Sequence, residues 1–312
     1  MHWRKSLEEW ECFNMPKTKH KSVLLNEAID GLNLKLGDVF VDATLGGAGH
    51  SIEVCKRFGK DILILGIDRD KDALDRSRKI LEEMNCNFKL FESNFSDIEK
   101  VVTKSGIKEV DAVLFDFGLS SDQLDVSGRG FSFMRDESLI MTMSIDKEAL
   151  TARDIVNSWS EENLATIIYG YGEEQFSRKI AKNIVEARKV KPIETTFELV
   201  EIISKSVPNF YRKGRVHFAT KTFQALRIAV NDELESIKRG LENGFQILKS
   251  GGRISAISFH SLEDRIVKRF FEEKKKVELG RSIFKKPITA SPEELLNNPR
   301  SRSAKLRVFE KQ

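Results

Sequence analysis

Cysteine is scarce in this sequence. Its three cysteines, Cys12, Cys55 and Cys86, are odd in number, and no two have the spacing of metal ligands. The sequence therefore offers neither a disulfide framework nor a zinc site, and reduced thiols are expected. Long apolar runs are also missing; none approaches the roughly 20 residues that a membrane-spanning helix needs. The opening residues, Met1 to Lys21, lack the apolar centre of a signal peptide and mix Trp3, Glu8, Glu9 and Glu11 with basic residues. A cytoplasmic location is the expectation that follows. No internal repeat or low-complexity tract is present, which sets repeat architectures aside.

What is present is a 312-residue chain with 40% hydrophobic residues, enough to bury a proper core in one large domain or two modest ones. Charged residues make up 32% and the net charge is only +4, but that charge is uneven. From Arg265 to Gln312, fourteen Lys and Arg face six Glu and no Asp. A basic tail segment on a near-neutral body suggests a polyanionic partner, although charge alone favours a plain solvated face.

Strand and helix signals alternate through the first third of the chain. Val39-Phe-Val-Asp42 reads as a strand that leaves through Gly46-Gly47-Ala48-Gly49, followed by a helix from about Ser51 to Phe58. Ile62 to Ile67 is an apolar run of the kind buried in a parallel sheet, and it ends in Asp68. A helix over Lys71 to Glu83, a strand at Phe88 to Phe91, a helix at Ile98 to Ser105 and a strand at Ala112 to Phe115 complete the pattern. This alternation predicts a doubly wound α/β sheet. From Asp125 to Arg215 it stops, and the residues read as helices: Ser160 to Ile168, Glu174 to Arg188 and Thr196 to Ser206. We read 125–215 as a helical insert between two parts of one domain, 19–124 and 216–312, with 1–18 as an extension. The α/β pattern resumes with a long helix from about Lys221 to Leu248, a strand at Arg253 to Ser258, a helix to Lys275, and short strands near Ile283 and at Leu306 to Phe309.

The chemistry sits at the strand ends. A strand closing on Asp42 and followed by Ala-Thr-Leu-Gly-Gly-Ala-Gly is a nucleotide-type loop at the carboxyl edge of a sheet, where open α/β folds bind ligands. Glycine lets a ligand approach the backbone. Asp68, nineteen residues beyond Gly49 at the end of the second strand, is placed to accept ribose hydroxyls. A dinucleotide site wants a third glycine where Ile52 stands, and a Walker loop is absent, so S-adenosylmethionine is the reading that remains. A tight glycine turn without a ligand is the alternative. Asp116 ends the fourth strand, between the expected cofactor and substrate. An acid there can accept an N–H from an exocyclic amine, which is a poor nucleophile that must be oriented against the methyl donor. The plainer role for Asp116 is a strand-end turn residue.

Longer stretches carry a family signature. They include His20 to Leu25, Gly46 to Ser51, Ile67 to Asp70, Asp116 to Ser121 with Gln123, Arg129 to Phe133 and Tyr171 to Glu174. Phe223 to Arg227, Ile257 to Arg265 and Asn298 to Ser303 continue it. In these the chain resembles the ribosomal RNA small subunit methyltransferase H family over nearly everything after residue 19. The resemblance implies a Rossmann-like class I methyltransferase that uses S-adenosylmethionine to methylate N4 of a decoding-centre cytidine in 16S rRNA within the small ribosomal subunit. Carried over, its cofactor site falls on Ala48, Gly49, His50, Asp68, Phe95, Asp116 and Gln123. One departure is plain: after Asp136 the family's Leu-Asp-Met-Arg-Met-Asp is here Leu139-Ile-Met-Thr-Met-Ser144, without two acids and an arginine. Met15 is an alternative start to Met1.

His260, just past the fifth strand, is a candidate substrate-side residue, with an isolated structural histidine as the alternative. Arg300 and Arg302, flanking Ser301, suit phosphates through their planar forks. Glu173 and Glu174 are candidates too, against plain helix-entry charges. Two other functions remain open at this stage: a methyltransferase of a small-molecule amine, and an RNA-binding ribosome-assembly factor that has lost catalysis. No metal is expected.

Overall fold

The structure, a computed structural model, describes residues 21–118, 128–143 and 148–312. Gln123 and Ser144 lie outside the described residues. In the first part of the chain, helix α1 (Leu25–Leu32) precedes β1 (Val39–Asp42), α2 (Gly49–Phe58), β2 (Leu63–Asp68), α3 (Lys71–Glu83), β3 (Asn87–Glu92), α4 (Ile98–Lys104) and β4 (Val110–Asp116). Local chemistry sets several of these boundaries. Asp70 caps α3 by accepting the Asp72 and Ala73 amides, and Gly59 ends α2 with φ 62°.

Helices then take over. They are α5 (Ala152–Ser158), α6 (Glu161–Gly172), α7 (Ser177–Val190), α8 (Thr196–Ser206), the short α9 (Asn209–Arg212) and α10 (Thr220–Asn231). Ser160 caps α6, and capping boxes Thr151/Asp154 and Thr195/Glu198 start α5 and α8. The chain returns to the sheet through α11 (Glu233–Gln246) and β5 (Leu248–Ser258). It closes with α12 (Ser261–Lys276), β6 (Gly280–Ser282), α13 (Pro292–Asn297) and β7 (Lys305–Lys311).

The seven strands lie in the order β3-β2-β1-β4-β5-β7-β6. The first five are parallel, and β7 and β6 add an antiparallel edge. Consecutive strand residues serve opposite faces: Phe40, Ile64 and Leu114 enter one core with α1, while Val41, Leu65 and Phe115 enter the other with α4, α11 and α12. Helices thus cover both faces, which is why these strands read as unbroken apolar runs. A separate core of Ile155, Leu164, Ile168, Ile184, Leu199, Ile203, Phe223 and Leu226 holds the helical unit.

Three expectations are corrected. The single helix over 221–248 is two, broken at Asp232 with φ 48°. Asn231, the last residue of α10, holds Met141 O and the Met143 amide through its side chain, and Arg227 pairs with Glu233 across the break. Because Phe223 and Leu226 lie in the helical core, α10 packs with the helices before it. The helix expected from Glu174 starts only at Ser177, since Glu173 is left-handed at φ 50° and Glu174 is buried. Lastly, Cys55 and Cys86 are joined by a disulfide. Pairing of β2 with β3 brings the turn ahead of β3 against α2, a juxtaposition that a spacing of 31 residues does not announce.

Candidate active site

The strand order reverses at β1. From there the chain winds outward through β2 and β3, then returns to place β4 on the other side. A crevice opens at such a switch point, at the carboxyl ends of the strands. Here it is a cavity of about 350 Å³ whose wall includes Gly46, Gly47, Gly49, His50, Asp68, Phe95, Asp116, Arg227, Glu233, His260, Glu263 and Arg300.

The glycine loop is built for close approach. Gly46 has φ 50°, and its amide donates to Asp68 Oδ2 at 2.7 Å. Asp68 Oδ1 accepts the Asp70 amide at 2.8 Å, so one carboxylate fixes both the loop and the start of α3. Burial pushes the Asp68 carboxyl up, against the pull of those amides. A Cβ on Gly49 would lie 1.9 Å from Ser22 Oγ, so any larger residue there must displace that side chain. Ala48 is left-handed at φ 58° and buried with Leu45 and Leu74, so its side chain serves the loop's packing and lies outside the cavity wall.

The reaction end of the cavity is acidic. Asp42 is buried and accepts Ser51 Oγ at 2.7 Å; burial raises its carboxyl to about 6. Burial, then the charges of Asp42 and Glu263, hold Asp116 well above the usual carboxylate range. Asp42 Oδ1 and Asp116 Oδ1 are buried without a hydrogen-bond partner among the described residues. Asp42 does not line the cavity, but Asp116 does, and an orphaned acceptor in a cavity wall is the mark of a site that a donor completes. His50 adds Nδ1 at 4.0 Å from Asp116 Oδ2, and its Nε2 lies 3.3 Å from Val23 O.

Across the cavity, His260 caps α12. Its Nδ1 accepts the Glu263 amide, while Glu263 Oε2 accepts the Phe259 and His260 amides at 2.7 and 3.2 Å. His260 Nε2 stands 3.1 Å from Glu263 Oε1. Burial pushes Glu263 up, but His260, Arg227 and the Phe259 amide outweigh it, leaving the carboxyl below its usual range. Arg227 grips both oxygens of Glu233 at 2.8 and 2.9 Å. Glu233, His260 and Glu263 lie close enough to share a cation, but Arg227 and the two amides already engage the carboxylates.

Among the sequence candidates, Gly49, His50, Asp68, Phe95, Asp116, His260 and Arg300 come together in this wall, whereas Arg302 lies outside it. Phe95 also packs on Phe115 and Phe117, with ring centroids 6.1 and 5.6 Å away. Glu173 and Glu174 lie outside this wall: Glu173 ties α6 to Ser261 and Arg265, and buried Glu174 accepts Tyr211 OH at 2.6 Å. Reasoning from sequence assigned no part to Asp42, Arg227, Glu233 or Glu263. Arg227 and Glu263 lie inside stretches that carried the resemblance, but nothing local marked them as cavity residues. The departing segment 139–143 is also placed: Leu139 and Met141 are buried in the helical core, and Met143 reaches the cavity.

The chain matches the MraW methylase family over residues 17–312. It belongs to that family. A protein of Sulfurihydrogenibium sp. named ribosomal RNA small subunit methyltransferase H is 49% identical over 290 residues, covering 93% of this chain and 98% of that one. A protein of the same name from Brevibacillus brevis is 46% identical over 308 residues, covering 94% and 98%. Among solved structures, an rRNA methylase from Streptococcus thermophilus covers 94% of this chain and 99% of its own at 11% identity, with a TM-score of 0.44. As a member of the MraW family the chain is a methylase, and S-adenosylmethionine is its methyl donor. The unpartnered acceptor of Asp116 in the cavity wall suits such a ligand, which is cationic and carries no phosphate.

Proposed function

We propose that this chain methylates N4 of a decoding-centre (P-site) cytidine of 16S ribosomal RNA, acting on the small ribosomal subunit. The curated relatives' names supply the RNA. The observation that carries the chemistry is the buried, unpartnered Oδ1 of Asp116 in the cavity wall. When bound, S-adenosylmethionine would supply a methyl group on a sulfonium sulfur: the amine nitrogen would bond to that carbon as the carbon–sulfur bond breaks and the sulfur keeps the electron pair, and the amine's proton would pass to Asp116 or to solvent. Asp116 orients that amine by accepting an N–H. A neutral carboxyl still accepts through its carbonyl oxygen, and positive charge brought beside it favours the ionised form. Asp116 is the catalytic residue on this reading. Gly49, His50, Asp68 and Phe95 hold the cofactor, with Gln123 outside the described residues and Ala48 shaping the loop. His260 and Arg300 face the substrate, and the helical unit recognises the particle. Arg302, outside the cavity wall, is left for phosphate contact on the surface.

At least eight of the fourteen basic residues from Arg265 onward have partners within the chain; Lys274 pairs with Glu242, Arg281 with Glu310, and Lys305 and Arg307 with Asp264, for example. The tail's charge therefore carries less of the RNA argument than its count suggests. The test is transfer from labelled S-adenosylmethionine into unmodified small-subunit particles, read by mass spectrometry of the digested rRNA. N4-methylcytidine is expected with the wild type and is lost with Asp116→Ala, whose cofactor affinity is measured alongside. Label at another nucleotide would refute the N4 assignment, and no label in rRNA would refute the substrate.

A further inference from the structure

Between Glu201 and Asp232 the chain runs for thirty residues without an acid, and this stretch carries Lys205, Arg212, Lys213, Arg215, Lys221 and Arg227. It is the longest acid-free stretch in the sequence. Its middle, from Asn209 to His217, joins α8 to α10 on the outside of the helical unit. Phe210 there is 73% exposed and Val216 58%. The side chains of Lys213 and Arg215 are exposed and make no ion pair or hydrogen bond with the described residues. Arg212 offers a buried Nε without a partner among them. A large aromatic ring left in water beside unpaired cations is costly for folding alone, because burying it would stabilise the fold by about 2 kcal/mol.

The loop is nonetheless held firmly at both ends. Tyr211 donates its hydroxyl to buried Glu174 at 2.6 Å and packs edge-on to Phe176, with centroids 5.0 Å apart. His217 stacks on Phe133 at 4.6 Å with planes 10° apart. The same framework reaches the cavity. Glu173, next to Glu174, accepts from Ser261, the residue after His260, and Lys221 Nζ reaches Glu173 O. Helix α10 starts near the loop and carries Arg227 and Asn231 in the cavity wall, roughly 15 Å away at 1.5 Å per residue.

We propose that the loop from Asn209 to His217 is a second RNA contact, gripping single-stranded RNA that flanks the nucleotide held in the cavity. Phe210 provides a stacking face for one base, and Lys213 and Arg215 bind phosphates. Single-strand binding sites combine these two elements, an aromatic platform and a basic track. The absence of acids over thirty residues keeps the track free of repulsion towards a polyanion. This inference rests on the reading of the substrate as RNA.

The test uses the full chain and a short fluorescein-labelled single-stranded RNA, with anisotropy followed as potassium chloride is raised. Phe210→Ala should weaken binding roughly tenfold, the scale of losing one base stack, without changing the salt slope. Lys213→Ala with Arg215→Ala should flatten the log–log salt slope by roughly 1.4, about 0.7 for each lost phosphate contact. Both variants should keep wild-type melting and wild-type affinity for S-adenosylmethionine, because the substituted side chains face water. RNA affinity and slope unchanged in both variants would overturn the proposal, as would an equal Phe210→Ala effect on an RNA duplex. Loss of binding to anionic lipid vesicles in place of RNA would overturn it too. The two readings fail separately. A wild type that binds this RNA through the loop but methylates no rRNA sinks the proposed function alone. A wild type that methylates rRNA while both loop variants bind and methylate normally sinks the loop alone.

Discussion

His50 Nδ1 stands 4.0 Å from Asp116 Oδ2, although His50 opens the helix after the first strand and Asp116 ends the fourth. His50 is buried and Asp116 is partly buried, and Asp116 also feels Asp42 and Glu263. The pair joins the cofactor side of the crevice to the reaction side. A substitution at either member is therefore expected to act on both.

Asp42 should make the ligand-free protein more stable as the pH falls from neutral. Its folded carboxyl titrates near 6 against an ordinary 3.8, so the folded state binds the proton more tightly. That contribution is complete below about pH 4 and is lost as the pH rises through about 6; by linkage it amounts to about 3 kcal/mol. Asp42→Asn keeps the size and an acceptor for Ser51 but cannot ionise. In urea denaturation, its stability relative to wild type should climb between about pH 4 and pH 7. A difference that stays flat with pH would place the titration elsewhere.

Asp68→Ala should weaken S-adenosylmethionine binding by about 1.5–3 kcal/mol, the scale of a hydrogen bond to a charged group. The substitution also removes the acceptor of the Gly46 and Asp70 amides, so melting should drop as well. Calorimetry at a temperature where both proteins are folded separates the two effects. Unchanged affinity there would remove Asp68 from the cofactor site.

Gly49→Ala drives a methyl into Ser22 Oγ, and overpacking of this kind costs about 1–3 kcal/mol. Adding Ser22→Ala takes away the offending hydroxyl and leaves a contact of 3.1 Å to Cβ, so the double variant should regain most of the loss. A single variant as stable as wild type in denaturant would mean that the loop does not approach so closely.

Much of this was legible in the chain. The parallel core strands announced themselves because both faces are covered, which turns Ile62 to Ile67 into a continuous apolar run. The glycine loop and the acids at the strand ends carry their own local chemistry, and α8 begins where its Thr195/Glu198 box requires. The break at Asp232 was not legible, since helical periodicity runs on through it; what stops the helix is Asn231 reaching Met141 and Met143 ninety and eighty-eight residues away. The same holds for the Cys55–Cys86 bond, which depends on strand order. Arg227, Glu233 and Glu263 join the site only because α10, α11 and α12 converge on the switch point. By itself the sequence determined the elements and the loop, whose causes act within a few residues. Only the tertiary structure decided which charges pair within the fold and which, at Lys213 and Arg215, face solvent. Pairing depends on distances across the fold, and spacing along the chain does not carry them.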